Sequence, residues 1–278
     1  VLVTRFAPSP TGYLHRGHAF SALTAHRAAE AAAGRFLLRI EDIDATRCRP
    51  EYEAAIYEDL AWLGLSWETP VRRQSEHMAD YEAALERLRA MGVLYRCFRT
   101  RRERAGESAA APHGPMDAFR GAPLPADEET RRLAAGAPYA WRLSLDAAAV
   151  RLGGFDALTF TVDEGAGGRA VQARPEVGGD VVLARKDAPV AYHLASVVDD
   201  ALQGVTQVIR GLDLAEAAHV HRLLQALLDL PTPLYRHHRL VLGSDGRRLA
   251  KRDRAETLRD LRQRGVAAPQ VRAELGLG

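Results

Sequence analysis

Lysine is almost missing from this chain. Only Lys186 and Lys251 occur among 278 residues, and every other basic side chain is arginine or histidine. We ascribe that bias to GC-rich coding, and no chemistry follows from it alone. Cysteine is equally scarce. Cys48 and Cys97 suggest no disulfide framework, so a reducing cytoplasm is the expected setting. No apolar run approaches the roughly 20 residues that span a bilayer, and no membrane partner is expected. The opening Val1-Leu2-Val3 reads as a strand and not as a signal peptide. Position 1 is not Met, so the first residues of the natural chain are expected to be missing. A net charge of +2 is too small to identify a partner. Internal repeats and long low-complexity linkers are absent too. What remains, 47% hydrophobic and 27% charged, is an ordinary globular composition with room for one large or two modest domains.

Val1 to Phe6 reads as a buried strand. Pro8, Pro10 and Gly12 then force a loop, because proline fixes φ and glycine permits positive φ. An alanine-rich helix is expected from about Gly17 to Ala33, with Gly34 placed to end it. Phe36–Ile40 is a second strand. Pro50 suits the first turn of a helix carrying Tyr52, Ile56, Leu60 and Leu63. Ser75 can cap another helix ending near Gly92. This alternation argues for an α/β fold with a parallel sheet covered on both faces. After Arg96 the pattern changes. Residues 99–127 have weak periodicity, followed by a short helix near Asp127–Ala135 and strands near Tyr139–Leu145, Ala157–Val162 and Val181–Ala184. This has the character of an α/β insertion. The alternation resumes with a helix from Ala191 through Val198, a strand Val205–Ile209 and a helix from Asp213. Asp213 and Glu216 have the spacing of a capping box.

Two distant segments fit one reaction. Arg5 to His18 has the shape of a nucleotide-gripping strand–loop–helix, with Pro8, Thr11 and Gly12 in the loop. His15 and His18 are three apart and share one face of a helix's first turn. A helix N-terminus presents free N–H groups and a positive dipole end, which suits an anion. Gly17 between the histidines lets a nucleotide lie close to the backbone. Two imidazoles there can donate to phosphoryl oxygens as charge builds. Near the C-terminus, Arg248-Leu249-Ala250-Lys251-Arg252 follows the turn Gly243-Ser244-Asp245-Gly246. Lys251 is a compact, mobile cation suited to departing pyrophosphate. Together the segments imply attack on the α-phosphate of ATP.

These residues resemble a family. His15-Arg16-Gly17-His18 is similar to the HIGH signature of class I aminoacyl-tRNA synthetases, and Arg248–Arg252 to the KLSKR variant of KMSKS. Arg5–Gly12, Arg39–Asp42, Tyr192–Ala195, Val197–Asp200 and Val208–Gly211 match glutamyl-tRNA synthetases in order. The resemblance implies a Rossmann-type catalytic domain in two parts, 1–96 and 190–243. An inserted acceptor-binding-like α/β subdomain would occupy 97–189. The KMSKS-like loop and a short C-terminal helical extension would occupy 244–278. Full synthetases continue into an anticodon-binding region, whereas only 253–278 follow Arg252 here. That length resembles their short paralogues, the glutamyl-queuosine tRNA(Asp) synthetases. Those ligases activate glutamate with ATP, expected to carry Mg2+, without tRNA. They then esterify it to the queuosine base at the wobble position of tRNA(Asp). A monomer is expected. The alternatives are a catalytic fragment of a full glutamyl-tRNA synthetase and a catalytically silent tRNA-binding paralogue.

The resemblance assigns His15, His18 and Lys251 to catalysis. It assigns Pro8, Thr11, Gly12, Gly17, Arg248, Leu249 and Arg252 to ATP beside them. Arg5, Ala7, Ser9, Glu41, Tyr192 and Arg210 take glutamate, with Glu41 on the ammonium and Arg210 on a carboxylate. Elementary chemistry agrees: glutamate needs one anionic group and at least one guanidinium. Glu41 follows a strand at the carboxyl end, where α/β sheets bind ligands. Arg5 and Arg210 end apolar strands, an expensive place for an unpaired charge. Asp199-Asp200 is read as structural, not as a metal pair. The short paralogues often carry zinc in the insertion, on Cys-x-Cys, a Tyr and a later Cys. Here Arg99 replaces the second cysteine and Phe119 falls where the last would stand, so no zinc is expected. Arg16 is unusual in the variable HIGH position, and is expected to face solvent or RNA. Arg248 replaces the first lysine of KLSKR.

Overall fold

The computed structural model describes residues 1–99, 118–165, 167–185, 189–241 and 256–277. In chain order the elements begin with β1 (Val3–Phe6), α1 (Arg16–Ala31), β2 (Arg35–Ile40), α2 (Pro50–Trp62) and β3 (Glu68–Arg73). Next come α3 (Met78–Ala90), β4 (Leu94–Cys97), α4 (Ala126–Ala134), β5 (Ala140–Leu143) and α5 (Leu145–Leu152). Then follow β6 (Thr159–Asp163), β7 (Gly168–Gln172), β8 (Val182–Arg185), α6 (Tyr192–Leu202) and β9 (Gln207–Gly211). The last are α7 (Ala217–Leu227), β10 (Leu234–His238), α8 (Leu258–Gln263) and α9 (Ala268–Glu274). The described residues of 1–76, 204–212 and 233–278 form one compact unit, and those of 77–203 and 213–232 form another. This packing division differs from the layout of segments that the family resemblance implies. Among the described residues no helix is long and apolar enough to cross a membrane.

The first unit is built on parallel strands. β1 pairs with β2 in parallel and β2 with β3, while β9 pairs in parallel with β10. β9 neighbours β1, and Thr206 joins them. Its N–H donates to the Val3 carbonyl at 2.9 Å and its Oγ1 accepts from the Val3 N–H at 2.9 Å. β2 is buried from Phe36 to Ile40, as a strand covered on both faces should be. Against this sheet α1 packs Ala19, Phe20, Ala22, Leu23 and Ala25, and α2 contributes Ile56 and Leu60, followed by its C-cap Leu63. The same core takes Leu258, Leu261, Val271 and Leu275 from the C-terminal helices. Each such side chain adds about 1.5–3 kcal/mol when buried. The C-terminal helical segment is therefore part of the core of this unit.

The second unit carries an antiparallel sheet, β4–β5–β8, and an antiparallel hairpin, β6–β7. Helices α3, α6 and α7 pack on one another. The Tyr81 hydroxyl on α3 reaches both oxygens of Asp199 on α6, at 2.8 and 3.0 Å. Asp199 is fully buried, and this contact ties α3 to α6.

Three local expectations change. α1 ends at Ala31, and Ala33, not Gly34, takes the positive φ of 46°. Gly34 is needed for another reason: a Cβ there would lie 2.3 Å from the Leu2 carbonyl oxygen. Ser75 caps no helix. It sits in a 3-10 turn, Gln74–Glu76, and gives its N–H and hydroxyl to Asp42 at 2.8 and 2.6 Å. Asp213 and Glu216 form no capping box. The chain takes a 3-10 turn at Leu212–Leu214, and α7 begins after Glu216 without a side-chain cap.

Asp59 on α2 is fully buried beside Arg262 of α8, whose Nε donates to Oδ1 at 3.0 Å while its Nη2 reaches Glu58 at 2.8 Å. Asp59 Oδ2 has no hydrogen-bond partner among the described residues. Burial outweighs the pull of Arg262 and pushes this carboxyl up to about 6. The folded state therefore binds its proton more tightly than the unfolded chain does. The site's stabilisation is full below about pH 4 and is lost as pH rises through 6. Asp59→Asn, which mimics the protonated form, should gain on the wild type by on the order of 1–3 kcal/mol between pH 4 and 6. Urea unfolding of both proteins across that range checks this, and parallel pH profiles would contradict it.

Candidate functional site

The loop after β1 is tied to the ends of its neighbours. The Glu41 N–H donates to the Pro8 carbonyl at 3.0 Å, the Arg49 N–H to that of Pro10 at 3.0 Å, and the Thr11 N–H to that of Ser9 at 2.8 Å. Pro8 and Pro10 are buried, so the loop is a packed part of the sheet's carboxyl edge. It delivers the chain to α1, where His15 is the N-cap in extended conformation. His15 Nδ1 accepts the Gly17 N–H at 3.1 Å, and His18 Nδ1 accepts the His15 N–H at 3.2 Å. The two histidines thus form a reciprocal cap, with ring centroids 3.8 Å apart. An Nδ1 that accepts a backbone N–H leaves the ring proton on Nε2, so each ring presents an Nε2–H donor. Gly17 serves this cap directly. A Cβ there would lie 2.9 Å from His15 Cε1 and 3.0 Å from its Nδ1.

The start of α1 is gripped by the chain that follows the basic segment. The Tyr13 ring lies under the Arg259 guanidinium at 4.8 Å, and its hydroxyl bonds the same group. The Leu14 carbonyl accepts the Leu258 N–H at 2.8 Å. His15 forms an antiparallel bridge with Thr257. Arg16 Nη1 donates to Glu256 Oε2 at 2.8 Å, and its Nη2 to Glu274 Oε2 at 3.1 Å. Four consecutive residues thus meet four consecutive partners running the other way. Arg16 engages these carboxylates while about a quarter of its side chain, 26%, stays exposed. Lys251, Arg248, Leu249 and Arg252 lie outside the described residues.

The residues expected to hold an amino acid lie at the carboxyl edge of the first unit's strands, with one exception. Arg5 is buried near the end of β1, with Ala7 and Ser9 in the loop beyond it. Arg210 is buried near the end of β9, its guanidinium 5.4 Å from the Tyr235 ring. Glu41 follows β2 and accepts from Arg39 Nη2 at 3.1 Å. Arg39 is fully buried, and sequence reasoning gave it no role. The signal was present: a charge inside the apolar strand Phe36–Ile40 must have a partner. By holding Oε1, Arg39 fixes which way the Glu41 carboxylate faces. Asp42 and Asp44 organise turns, Asp42 through Ser75 and Asp44 through Thr46 and Arg47. Tyr192 belongs to the second unit. It is the first residue of α6, buried, with the His193 and His221 rings 5.4 and 5.5 Å away.

Among the described residues of the insertion, Arg99 and Phe119 occupy the two positions where thiolates would be expected. Cys97 is a buried free thiol at the end of β4. The Arg99 guanidinium lies 4.3 Å from the Phe119 ring, and Arg142 lies at 4.3 Å from the same ring. The two positions that would carry thiolates make a cation–π contact instead. Asp180 secures the adjoining backbone. Its N–H donates to the Phe119 carbonyl at 2.6 Å, and its Oδ2 accepts from the Gly121 N–H at 2.8 Å and the Tyr95 hydroxyl at 2.9 Å.

A family model described as tRNA synthetases class I (E and Q), catalytic domain, matches residues 1–272. The chain is 45% identical to a Glutamyl-Q tRNA(Asp) synthetase of Rhodobacter capsulatus, over 99% of this chain and 100% of that protein. It is 44% identical to a Glutamyl-Q tRNA(Asp) synthetase of Nocardia farcinica, over 98% of this chain and 82% of that one. A solved glutamate tRNA ligase from Elizabethkingia meningosepticum matches with a TM-score of 0.69 at 30% identity. That match covers 91% of this chain and 52% of the ligase. The α/β architecture, the histidine-capped helix and these matches agree, and the chain belongs to the class I tRNA synthetases of the glutamate and glutamine type.

Proposed function

We propose that this chain activates L-glutamate with ATP and transfers it to the queuosine base of tRNA(Asp). The observation that carries the reading is the 45% identity to the Rhodobacter capsulatus protein over 99% of this chain and 100% of that one. The fragment and silent-paralogue alternatives are not favoured. The Glutamyl-Q tRNA(Asp) synthetases of Rhodobacter capsulatus and Nocardia farcinica are matched over 100% and 82% of their own length, and His15 and His18 form a reciprocal cap at the start of α1.

In the first step the glutamate α-carboxylate attacks the α-phosphorus of ATP. A carboxylate–phosphorus bond forms and the bond to pyrophosphate breaks. His15 and His18 donate from Nε2 to phosphoryl oxygens where charge develops, reinforced by the α1 N-terminus. Pro8, Thr11, Gly12 and Gly17 shape the nucleotide side. Lys251, with Arg248, Leu249 and Arg252, is assigned to the phosphates on the resemblance. Mg2+ supplies charge neutralisation on the ATP phosphates. No group of three or more His, Cys, Asp or Glu among the described residues could hold a metal ion, so it is assigned to the nucleotide. Glu41, oriented by Arg39, takes the ammonium, and Arg210 and Arg5 take carboxylates. A bidentate guanidinium selects a carboxylate over the amide of glutamine. Ala7 and Ser9 line the same edge, and Tyr192 is assigned to glutamate on the resemblance alone. In the second step a queuosine hydroxyl attacks the adenylate carbonyl and AMP leaves.

Glutamate-dependent pyrophosphate exchange should proceed without tRNA, with aspartate and glutamine as poor substitutes. Strict dependence on tRNA(Glu) would instead point to a severed full-length synthetase. Gly17→Ala should keep a near-normal thermal midpoint, because the His15 ring can turn away and alanine suits a helix. The turned ring no longer donates, so adenylate formation should fall about 10- to 100-fold in single-turnover assays. A wild-type rate would remove the His15 orientation from the mechanism. We further propose that the insertion needs no zinc. Elemental analysis should find well under one zinc per chain, and a chelator should leave thermal unfolding unchanged. One zinc per chain would overturn the assignment of Arg99 and Phe119 to those positions.

A further inference from the structure

Arg16 sits between the two histidines' turn and the C-terminal helices, yet it is assigned no part in the reaction. It is the first residue of α1, adjacent in sequence to the capping ring of His15. Its guanidinium spans two carboxylates that are far away in sequence, Glu256 by Nη1 at 2.8 Å and Glu274 by Nε and Nη2 at 3.3 and 3.1 Å. Neither carboxylate is idle. Glu256 also pairs with Arg264, and Glu274 accepts from Gln270 at 3.1 Å. The remaining three contacts of the zipper fix the backbone around it: Arg259 on Tyr13, the Leu258 N–H on the Leu14 carbonyl, and Thr257 bridged to His15.

We propose that Arg16 is a positioning residue for the nucleotide half of the reaction. It closes the zipper at the end nearest the phosphate-facing turn, and through it the C-terminal helices hold the His15–His18 cap in place. The chemistry suits arginine in particular. A planar fork with several donors can hold two carboxylates at once, whereas a lysine ammonium offers one compact head. The half-exposed carboxylates make each link modest, so the role is alignment more than bulk stability. The proposal rests on the assignment of the α1 N-terminus to ATP.

The test measures ATP affinity by calorimetry, alongside exchange kinetics, for the wild type, Arg16→Ala, Arg16→Lys, Glu256→Gln and the Arg16→Ala/Glu256→Gln double variant. Arg16→Ala should weaken ATP binding and slow activation by about tenfold, while the KM for glutamate stays within about twofold. Arg16→Lys should recover part of the loss. The double variant should be little worse than Arg16→Ala, because both changes break the same link. A lower thermal midpoint with unchanged ATP affinity would make Arg16 a merely structural residue and overturn the proposal. Equal losses for ATP and glutamate would overturn it too. The binding measurement decides the matter even if exchange with glutamate is absent, an outcome that would count against the proposed function and not against Arg16.

Discussion

The site depends on an antiparallel zipper between residues 13–16 and 256–259. A reciprocal histidine cap is a demanding arrangement, since both rings must turn back onto the first turn of their own helix. Helix propensity does not supply that, and histidine is not a favoured cap. The fold supplies it by pinning the entering chain. Leu14 and Leu258 are both fully buried at the joint, so the backbone bond between them is shielded from water. Leu261, Val271 and Leu275 anchor the partner strand in the same core as α1. The chain from Glu256 onward therefore packs beside the turn that carries His15 and His18. Arg16 and Glu256, 240 positions apart in sequence, are adjacent because of ordinary packing.

The amino-acid side follows a different logic, that of the buried charge. Arg5, Arg39 and Arg210 all lie on strands and are almost wholly removed from water. Holding guanidinium groups there is costly unless each has a partner. Arg39 has Glu41, and the pair sets the direction of a carboxylate at the sheet's edge. Arginine is suited to this setting because it keeps its charge in any surroundings proteins offer.

Much of this was legible in the sequence, and the limits have physical causes. α1, β2, α2 and α6 announced themselves through periodicity and burial. β3 did not, because its Glu68-Thr69-Pro70 half is exposed and lacks an apolar pattern. The Asp213–Glu216 spacing suggested a cap, but a 3-10 turn consumed the first of those residues before α7 began. Arg39 was hidden inside a motif quoted for its neighbour. Arg16 could not be understood from sequence at all, because its partners lie 240 and 258 positions away. The insertion shows the reverse. The loss of a cysteine at position 99 and the aromatic at 119 were visible in the sequence, but their contact with each other was not.

This chain makes a glutamyl-adenylate and transfers the glutamate to a modified base rather than to the end of a tRNA. The most direct measurement incubates the protein with ATP, labelled glutamate and tRNA(Asp), with and without queuosine, and then locates the label by nuclease digestion. The account predicts alkali-labile label on the queuosine nucleoside and none on tRNA(Asp) that lacks the modification. Label on the 3′-terminal adenosine, or equal labelling of both tRNA preparations, would contradict it.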